Sequence, residues 1–548
     1  MVEPIGHAHS AMTLPSSTRL NYYEISLFQT HFVALQNLNL YEISYFLSLF
    51  VIFQKTNYCE ISIFLVDFVI LLEVLMEKLI VGRLKEKALF EECAQSGKPE
   101  FITVYGRRRI GKTFLIREYF NDKFDFYCTG SYGASKEEQL SRFCQKIAEY
   151  SKSFVPTVGS WDEAFTLLQN YLGSIKGRPI IVFIDELPWL DTPRSKFLNA
   201  FEYFWNSWGS RQDNLKLIVC GSATSWMTNK LLGNKGGLHN RVTRRIHLSA
   251  FTLKETEDFI KSRGMPYSRQ QVLETYMCLG GTPFYLDMLK KGLSTTQNID
   301  ELFFAPNAPL AEEYGFLFKS LFNDSTMYKR IVELLAKKTI GMTRSEIVAA
   351  LKISDSGVLT EVLENLESCD FIRSYAAFGK KAKDIMYQLV DLYSLFYLRY
   401  AKNYRGGDKN RWSNMIDSPS RRAWSGYAFE QVCLNHIDQI KQKLGISGIQ
   451  SDVCSWRYKG DKDTQGAQID LLIDRRDQVI NLYEMKYSSK PYEITSAYME
   501  YLKQRRETFR EVTKTRKSLY LTLVTPCGLA KNAAWNEIQN ELTLDDLF

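Results

Sequence analysis

Short runs of apolar, largely β-branched residues, each ending at glycine or at an acid, punctuate the first half of the chain. Phe101-Ile102-Thr103-Val104-Tyr105 runs into Gly106, Ile180–Ile184 into Asp185-Glu186, and Leu215–Cys220 into Gly221-Ser222. Near-continuous hydrophobicity over five or six residues predicts strands covered on both faces, as in a parallel sheet between helical layers. Phe114–Phe120 follows the first run and reads as a helix. The middle of the chain changes period. From Tyr285 to about Asn323 helical stretches alternate with turns, which predicts a helical lid. Tyr328–Ala336, Arg344–Leu351 and Ser356–Leu366 then read as three helices. Phe371–Tyr375 and Ile385–Val390 follow as two strands around the turn Gly379–Lys383. Three helices and a β-hairpin predict a winged helix. Beyond a linker marked by Arg405-Gly406-Gly407-Asp408, Gly426–Leu434 reads as a helix. Gln468–Ile473 and Val479–Tyr487 read as two strands about the turn Arg475-Arg476-Asp477.

The first 75 residues follow another rule. Glu24, Glu42 and Glu60, each followed by Ile-Ser and then an apolar run, are spaced evenly by 18 residues. Eighteen residues make five helical turns, so each copy would present the same face. Asp67 and Glu73 interrupt the apolar stretch Ile61–Met76, which is too short and too charged to span a bilayer. A basic start and a small-residue cleavage site, the marks of a signal peptide, are missing. The segment is expected to be an appendage, with the working protein starting near Met76. An interaction segment and a membrane tether are the other readings.

At 548 residues the chain exceeds what one hydrophobic core supports, so several domains are expected. Its ten cysteines form no C-x-x-C pair and no Cys/His group at zinc spacing. They read as reduced thiols of a cytoplasmic protein rather than as disulfides or metal ligands. The net charge of +7 admits anionic partners without demanding them.

Gly106-Arg107-Arg108-Arg109-Ile110-Gly111-Lys112-Thr113 is a G-x-x-x-x-G-K-T loop set between a strand and a helix. Its glycines let successive backbone N–H groups curl toward phosphate oxygens at a helix N-terminus. Lys112 would reach the β- and γ-phosphates and Thr113 would hold Mg²⁺. At the end of the second run, Asp185 would hold the same Mg²⁺ through water and Glu186 would orient or deprotonate the attacking water. Ser222 is a candidate γ-phosphate sensor or a plain strand-to-helix turn. Within His239-Asn240-Arg241-Val242-Thr243-Arg244-Arg245, Arg241 is the candidate finger for a neighbouring subunit's ATP, a solvated basic loop being the alternative.

"YGRRRIGKT" at Tyr105–Thr113, "FIDELPWL" at Phe183–Leu190, "CGSATSWM" at Cys220–Met227 and "LGGTPFYL" at Leu279–Leu286 resemble one group. These are the archaeal-type prokaryotic ATPases, P-loop proteins close to the AAA+ and STAND NTPases. "LIVGRLKEKALF" at Leu79–Phe90 matches the start of that pattern, and Tyr387–Tyr397 also matches. The resemblance implies that Pro283, in Gly281-Thr282-Pro283, lies near the adenine. It also implies a C-terminal domain of unknown function.

The third helix of the expected winged helix carries Asp355, Glu361, Glu364 and Glu367 nearby, and no Lys or Arg between Ser354 and Asp370. Four acids facing a polyanion repel it, so this module is expected to pack rather than read DNA. In the C-terminal region the hairpin sets Asp470 beside Glu484, with Lys486 on the same strand face as Glu484. Glu430 sits on the preceding helix. Asp470 and Glu484 would hold Mg²⁺, Lys486 would position water and Glu430 would support the metal. This arrangement resembles the PD-(D/E)xK nuclease-like fold, departing from it at Gln468, where related sequences often carry another acid. From Gly426 onward 17 basic residues balance 17 acidic ones. Lys503, Arg506, Arg510, Lys514 and Lys517 nevertheless share one helix face.

The expected class is α/β. Residues 1–75 are the appendage, 76–284 an AAA-like P-loop ATPase domain, 285–325 the lid and 326–400 the winged helix. Residues 401–425 form the linker and 426–548 the mixed α/β nuclease-like domain. ATP and Mg²⁺ are the expected ligands, DNA or RNA and further copies of the chain the candidate partners, and a membrane is not expected. The activity expected is ATP hydrolysis that drives or gates the C-terminal domain. The alternative is a STAND-like switch of signalling or oligomerisation, with a non-catalytic C-terminal binding module.

Overall fold

The computed structural model describes residues 80–548, except 234–237, 239, 323, 339, 380–384 and 461–465. The repeat in residues 1–75, His239 and most of the turn Gly379–Lys383 therefore lie outside the described residues. Ile80–Phe548 packs as one unit.

Five parallel strands open it: β1 (Glu100–Tyr105), β2 (Phe126–Thr129), β3 (Ile180–Asp185), β4 (Leu215–Gly221) and β5 (Arg244–His247), in the order β2-β3-β4-β1-β5. Their unbroken hydrophobicity is explained by what lies on each face. Phe143, Trp161, Phe165, Phe197 and Phe201 cover one side, from the helices Lys136–Ser151, Trp161–Gly173 and Phe197–Ser207. Phe90, Leu115 and Ile116 cover the other, from the helices Leu84–Gln95 and Lys112–Tyr119. This is the sheet of a P-loop NTPase. Because β4 pairs with both β1 and β3, the end of β4 stands between the glycine loop and the acids of β3.

The helices Thr295–Phe303 and Glu313–Leu321 follow, and then a helix–sheet module. Its helices are Thr326–Leu335, Arg344–Leu351 and Gly357–Ser368. Its antiparallel sheet has the order β6-β8-β7, with β6 (Met342–Thr343), β7 (Ile372–Tyr375) and β8 (Met386–Leu389). The two-residue strand β6 is too short to leave an alternating pattern in sequence.

The stretch 401–425, expected as a linker, is part of the core. Trp412 and Trp424 are buried, and Asp300 accepts the backbone N–H groups of Trp412 at 2.7 Å and Ser413 at 3.0 Å. The next helix starts early, at Pro419, and runs to Asn435 with Ser418 as its N-cap.

A second, mixed sheet closes the chain. It contains β9 (Ser451–Tyr458), β10 (Ala467–Arg475), β11 (Val479–Met485), β12 (Ser518–Val524) and β13 (Asn540–Leu542), in the order β13-β12-β11-β10-β9. β9, β10 and β11 are antiparallel, whereas β11–β12 and β12–β13 are parallel. The helix Ser496–Thr513 supplies the crossover a parallel pair requires. The two sheets meet directly: Ala377, just past β7, bridges Ser455 of β9, and the Phe378 N–H donates to the Ser455 carbonyl at 2.7 Å.

Candidate functional site

The loop between β1 and the helix Lys112–Tyr119 is shaped by two glycines. Gly106 has φ +145°, and a Cβ there would lie 2.3 Å from the Leu248 carbonyl oxygen. Gly111 has φ +84° and caps the helix, a conformation in which a side chain is strained. The Lys112 ammonium is buried and donates to the carbonyls of Gly106 at 2.8 Å and Arg107 at 2.9 Å. Burial pulls its pKa below the ordinary lysine value, with Cys220, Glu186 and Asp185 opposing the shift.

The acids at the end of β3 meet this loop. The Thr113 hydroxyl donates to the two Asp185 carboxylate oxygens at 3.0 and 3.2 Å. The Cys220 thiol donates to Asp185 Oδ1 at 2.5 Å, and burial raises its pKa well above the usual thiol value. Glu186 lies in the left-handed region, φ 45°, as the chain turns off the strand. Its Oε2 accepts from both the N–H (3.0 Å) and the hydroxyl (2.9 Å) of Ser222. Ser222 therefore holds Glu186 in place, a different contact from the phosphate expected of it. Thr113 and Asp185 form an oxygen-donor pair of the kind a hard divalent cation takes, so the residues fit Mg²⁺.

The three arginines of the loop point to three separate partners. Arg107 is buried, with Nη1 2.5 Å from Asp391 and Nη2 donating to the Thr282 hydroxyl at 2.7 Å. Burial pulls its pKa down, but the Asp391 charge outweighs this and raises it. Its guanidinium is thus committed to structure, leaving the Arg107 main chain to face a phosphate. Arg108 lies 5.6 Å over the Trp189 ring. Arg109 takes positive φ, 74°, pairs with Glu313 at 3.1 Å and covers the Phe284 ring at 4.0 Å. The Phe284 N–H donates to the Arg109 carbonyl at 3.3 Å, which sets Pro283, the first residue of the short helix Pro283–Leu286, beside the loop containing Ile110. Gly281 is needed on packing grounds, since a Cβ there would sit 1.9 Å from the Phe251 carbonyl. Arg241 is exposed in the turn before β5, away from these contacts.

Part of the chain is similar to known ATPases. Residues 81–289 match a family model described as an ATPase domain predominantly from Archaea. Over this stretch the chain is similar to that ATPase domain. An uncharacterized protein of Methanocaldococcus jannaschii is 26% identical over 415 residues, 75% of this chain and 88% of its own length. A Walker-type ATPase of Pyrococcus abyssi is similar in structure at TM-score 0.42 and 19% identity, over 58% of this chain and 96% of that one. The ORC2 protein of Aeropyrum pernix, solved in ADPNP–ADP complexes, is similar at TM-score 0.37 and 13% identity, over 58% and 93%. Among the described residues no helix is long and apolar enough to cross a membrane.

The C-terminal carboxylates lie far beyond the ATPase motifs in sequence and form a second centre. The pairing Leu472↔Leu482 brings the Asp470 end of β10 alongside the part of β11 that carries Glu484. Burial raises the Glu430 pKa to about 8, and the Asp470 and Glu484 charges push the same way. Burial and Glu484 raise Asp470 as well, while the Gln468 side chain donates to it. Glu430, Asp470, Glu484 and Lys486 therefore converge. Their partners differ from those expected. Glu484 accepts from Lys486 at 2.8 Å, from Arg505 at 2.6 Å and from the Tyr498 hydroxyl at 2.6 Å. Burial alone would raise its pKa, yet Arg505 and Lys486 outweigh burial and lower it. Among the described residues no group of three His, Cys, Asp or Glu side chains is disposed to hold a metal ion. As placed, the site does not fit Mg²⁺, because two cations already neutralise Glu484. Sequence reasoning missed Arg505, whose role depends on the fold of the crossover helix.

That helix ends at Thr513, so Lys514, its C-cap, and Lys517 do not continue the basic face expected of it. On the helix Lys503 meets Glu537 at 3.1 Å and Arg506 and Arg510 meet Glu507, while Lys517 beyond it meets Asp474 at 2.5 Å. In the helix–sheet module the acidic helix Gly357–Ser368 packs against the turn Thr224–Trp226 beyond β4, and so on the ATPase domain.

Proposed function

We propose that this protein is a Mg²⁺-dependent ATPase whose nucleotide cycle gates its nuclease-like C-terminal domain. The observation that carries the reading is the pairing of Thr113 with Asp185 beside the pairing of Ser222 with Glu186, which sets both acids and the end of β4 next to the loop that holds Lys112. Bound there, Mg²⁺ would neutralise charge on the phosphates. Lys112 would exchange its two loop carbonyls for phosphate oxygens, and the amides of the loop from Gly106 to Thr113 would take the rest. Glu186, aligned by Ser222, is the acceptor for a proton of the attacking water. Arg241 acts only if a neighbouring copy brings it to another site, so its role requires a homo-oligomer. Pro283 and Phe284 border the loop where a base would emerge. Residues 326–400 serve as the winged helix and residues 285–325 as the lid.

For the C-terminal domain, the helix, the antiparallel strands β9–β11, the crossover helix and the parallel strand β12 support the nuclease-like reading, with DNA or RNA as substrate. The ion pair of Glu484 with Arg505 favours a second reading, a STAND-like switch whose C-terminal domain binds without cutting. Both readings share the ATPase. Calorimetric titration with Mg²⁺ and ATP tests that part: saturable heat is expected, lost in Lys112→Ala. Cleavage of single- and double-stranded DNA and RNA with Mg²⁺ or Mn²⁺ separates the two. Activity absent in Glu484→Ala favours the nuclease, and intact nucleic acid with the parent protein favours the switch.

A further inference from the structure

Asp470 of the C-terminal carboxylate centre lines a cavity of about 370 Å³ whose walls come from separate parts of the chain. Val453, Cys454, Asp470 and Leu471 come from the mixed sheet. Arg373, Ser374 and Tyr375 come from β7, and Gln388 comes from β8. Arg373 is the cation of this wall. Its Nε donates to Gln388 at 3.0 Å and Nη2 reaches Gln431 at 3.3 Å, beside Glu430. Its Nη1 is buried with no hydrogen-bond partner among the described residues. A buried unpaired donor is unfavourable, so the wall is held there by contacts made elsewhere.

Those contacts lead to the nucleotide loop. Phe371, immediately before β7, accepts from the N–H groups of Val390 at 2.9 Å and Asp391 at 3.3 Å. Its ring lies under the Arg107 guanidinium at 5.6 Å. Asp391 is both the buried partner of Arg107 and the N-cap of the helix Leu392–Phe396, accepting from Ser394 N–H at 2.9 Å. Arg107 in turn offers the main-chain carbonyl that Lys112 holds at 2.9 Å. A lysine that leaves this carbonyl for a phosphate frees the residue whose side chain fixes Asp391 and Phe371.

We infer that β7 is a movable wall of the C-terminal carboxylate pocket, and that Arg107, through Asp391 and Phe371, ties its position to the nucleotide held by Lys112. The inference rests on the reading of residues 81–289 as a nucleotide-binding ATPase. It holds whether the C-terminal pocket cuts or only binds. Coupling of this kind needs an element with two arrangements that both sites bias. β7 is such a candidate because it lies between the two sites, preceded by Phe371 under Arg107 and followed by Ala377 paired to Ser455 of β9.

The test is amide hydrogen exchange on the full chain, with and without Mg²⁺ and a non-hydrolysable ATP analogue, alongside calorimetry of the same titration. Exchange across residues 371–378 and 451–458 is expected to change at least several-fold when the analogue binds. In Asp391→Asn, which keeps the size of the side chain and removes its charge, the analogue should still give heat while this response falls away. Arg373→Gln, which does not touch the nucleotide loop, should speed exchange in 451–458 with or without the analogue. Heat from the wild-type protein without any change in those two segments overturns the inference and leaves the ATPase reading standing. No heat from the wild-type protein defeats both.

Discussion

Arg107 Nη1 and Asp391 Oδ1 lie 2.5 Å apart, joining positions 284 residues distant in sequence. Both side chains are buried, and Thr282 bonds the other nitrogen of the guanidinium. Removing one member strands the other charge, so Asp391→Ala should lower unfolding stability by about 3–5 kcal/mol. Urea unfolding measures this. The pair Arg107→Met with Asp391→Leu should recover much of the loss, since two matched apolar groups leave no orphan charge. A double variant as unstable as the sum of the singles would argue that the pair itself is not what holds these segments together.

Among the described residues the Lys112 ammonium bonds only to carbonyls of its own loop, so its loss should affect ligand binding more than folding. Saturating the wild-type protein with ATP and Mg²⁺ at a hundred times Kd should add about 2.7 kcal/mol of stability. Lys112→Ala should show a near-normal melting temperature without ligand and no upward shift with it. Thermal melts with and without nucleotide check both halves.

Glu186→Gln should retain nucleotide and lose turnover by roughly 10²–10⁴-fold, the usual contribution of a positioned general base. Ser222→Ala leaves the backbone N–H at 3.0 Å from Glu186 and removes only the hydroxyl. Its effect should be smaller, about tenfold, in line with one hydrogen bond to a charged group. Steady-state phosphate release compares the three proteins.

Glu430 is an acid whose pKa rises on folding, from an ordinary 4.5 to about 8. The folded protein therefore binds its proton more tightly than the unfolded chain does. Stability from this group is full below the unfolded value and declines as pH rises through the window from 4.5 to 8, by at most about 1.4 kcal/mol per pH unit. Glu430→Gln should flatten that slope. Chemical unfolding at a series of pH values gives the result, and an unchanged slope in the variant would remove Glu430 as its source.

The sequence exposed whatever is local. The loop Gly106–Thr113, the strand ending in Asp185-Glu186 and the hairpin that brings the strands of Asp470 and Glu484 together follow from spacing, periodicity and turn chemistry within a few dozen residues. Ser222 was found at the end of the right strand, but its partner was not, because the order β3-β4-β1 decides which neighbour it meets. Arg107 had the right place and an unexpected task, since Asp391 comes from a different part of the chain. The contact between Arg505 and Glu484 was hidden for the same reason: a parallel crossover sets which face of the helix Ser496–Thr513 meets the strand. Trp412 and Trp424 were passed over because Arg405-Gly406-Gly407-Asp408 looks like a tether, while the residues after it are held by Asp300.

The link between Ala377 and Ser455 is a backbone pairing, reinforced by Phe378 against Phe509 with ring centroids 5.1 Å apart. Amide-to-carbonyl pairing asks little of side-chain identity beyond excluding proline at the donors. Such a seam tolerates drift in composition on either side but not a change in length. One inserted residue between Tyr375 and Phe378 would turn the aromatic ring to the opposite face and leave Phe509 uncovered.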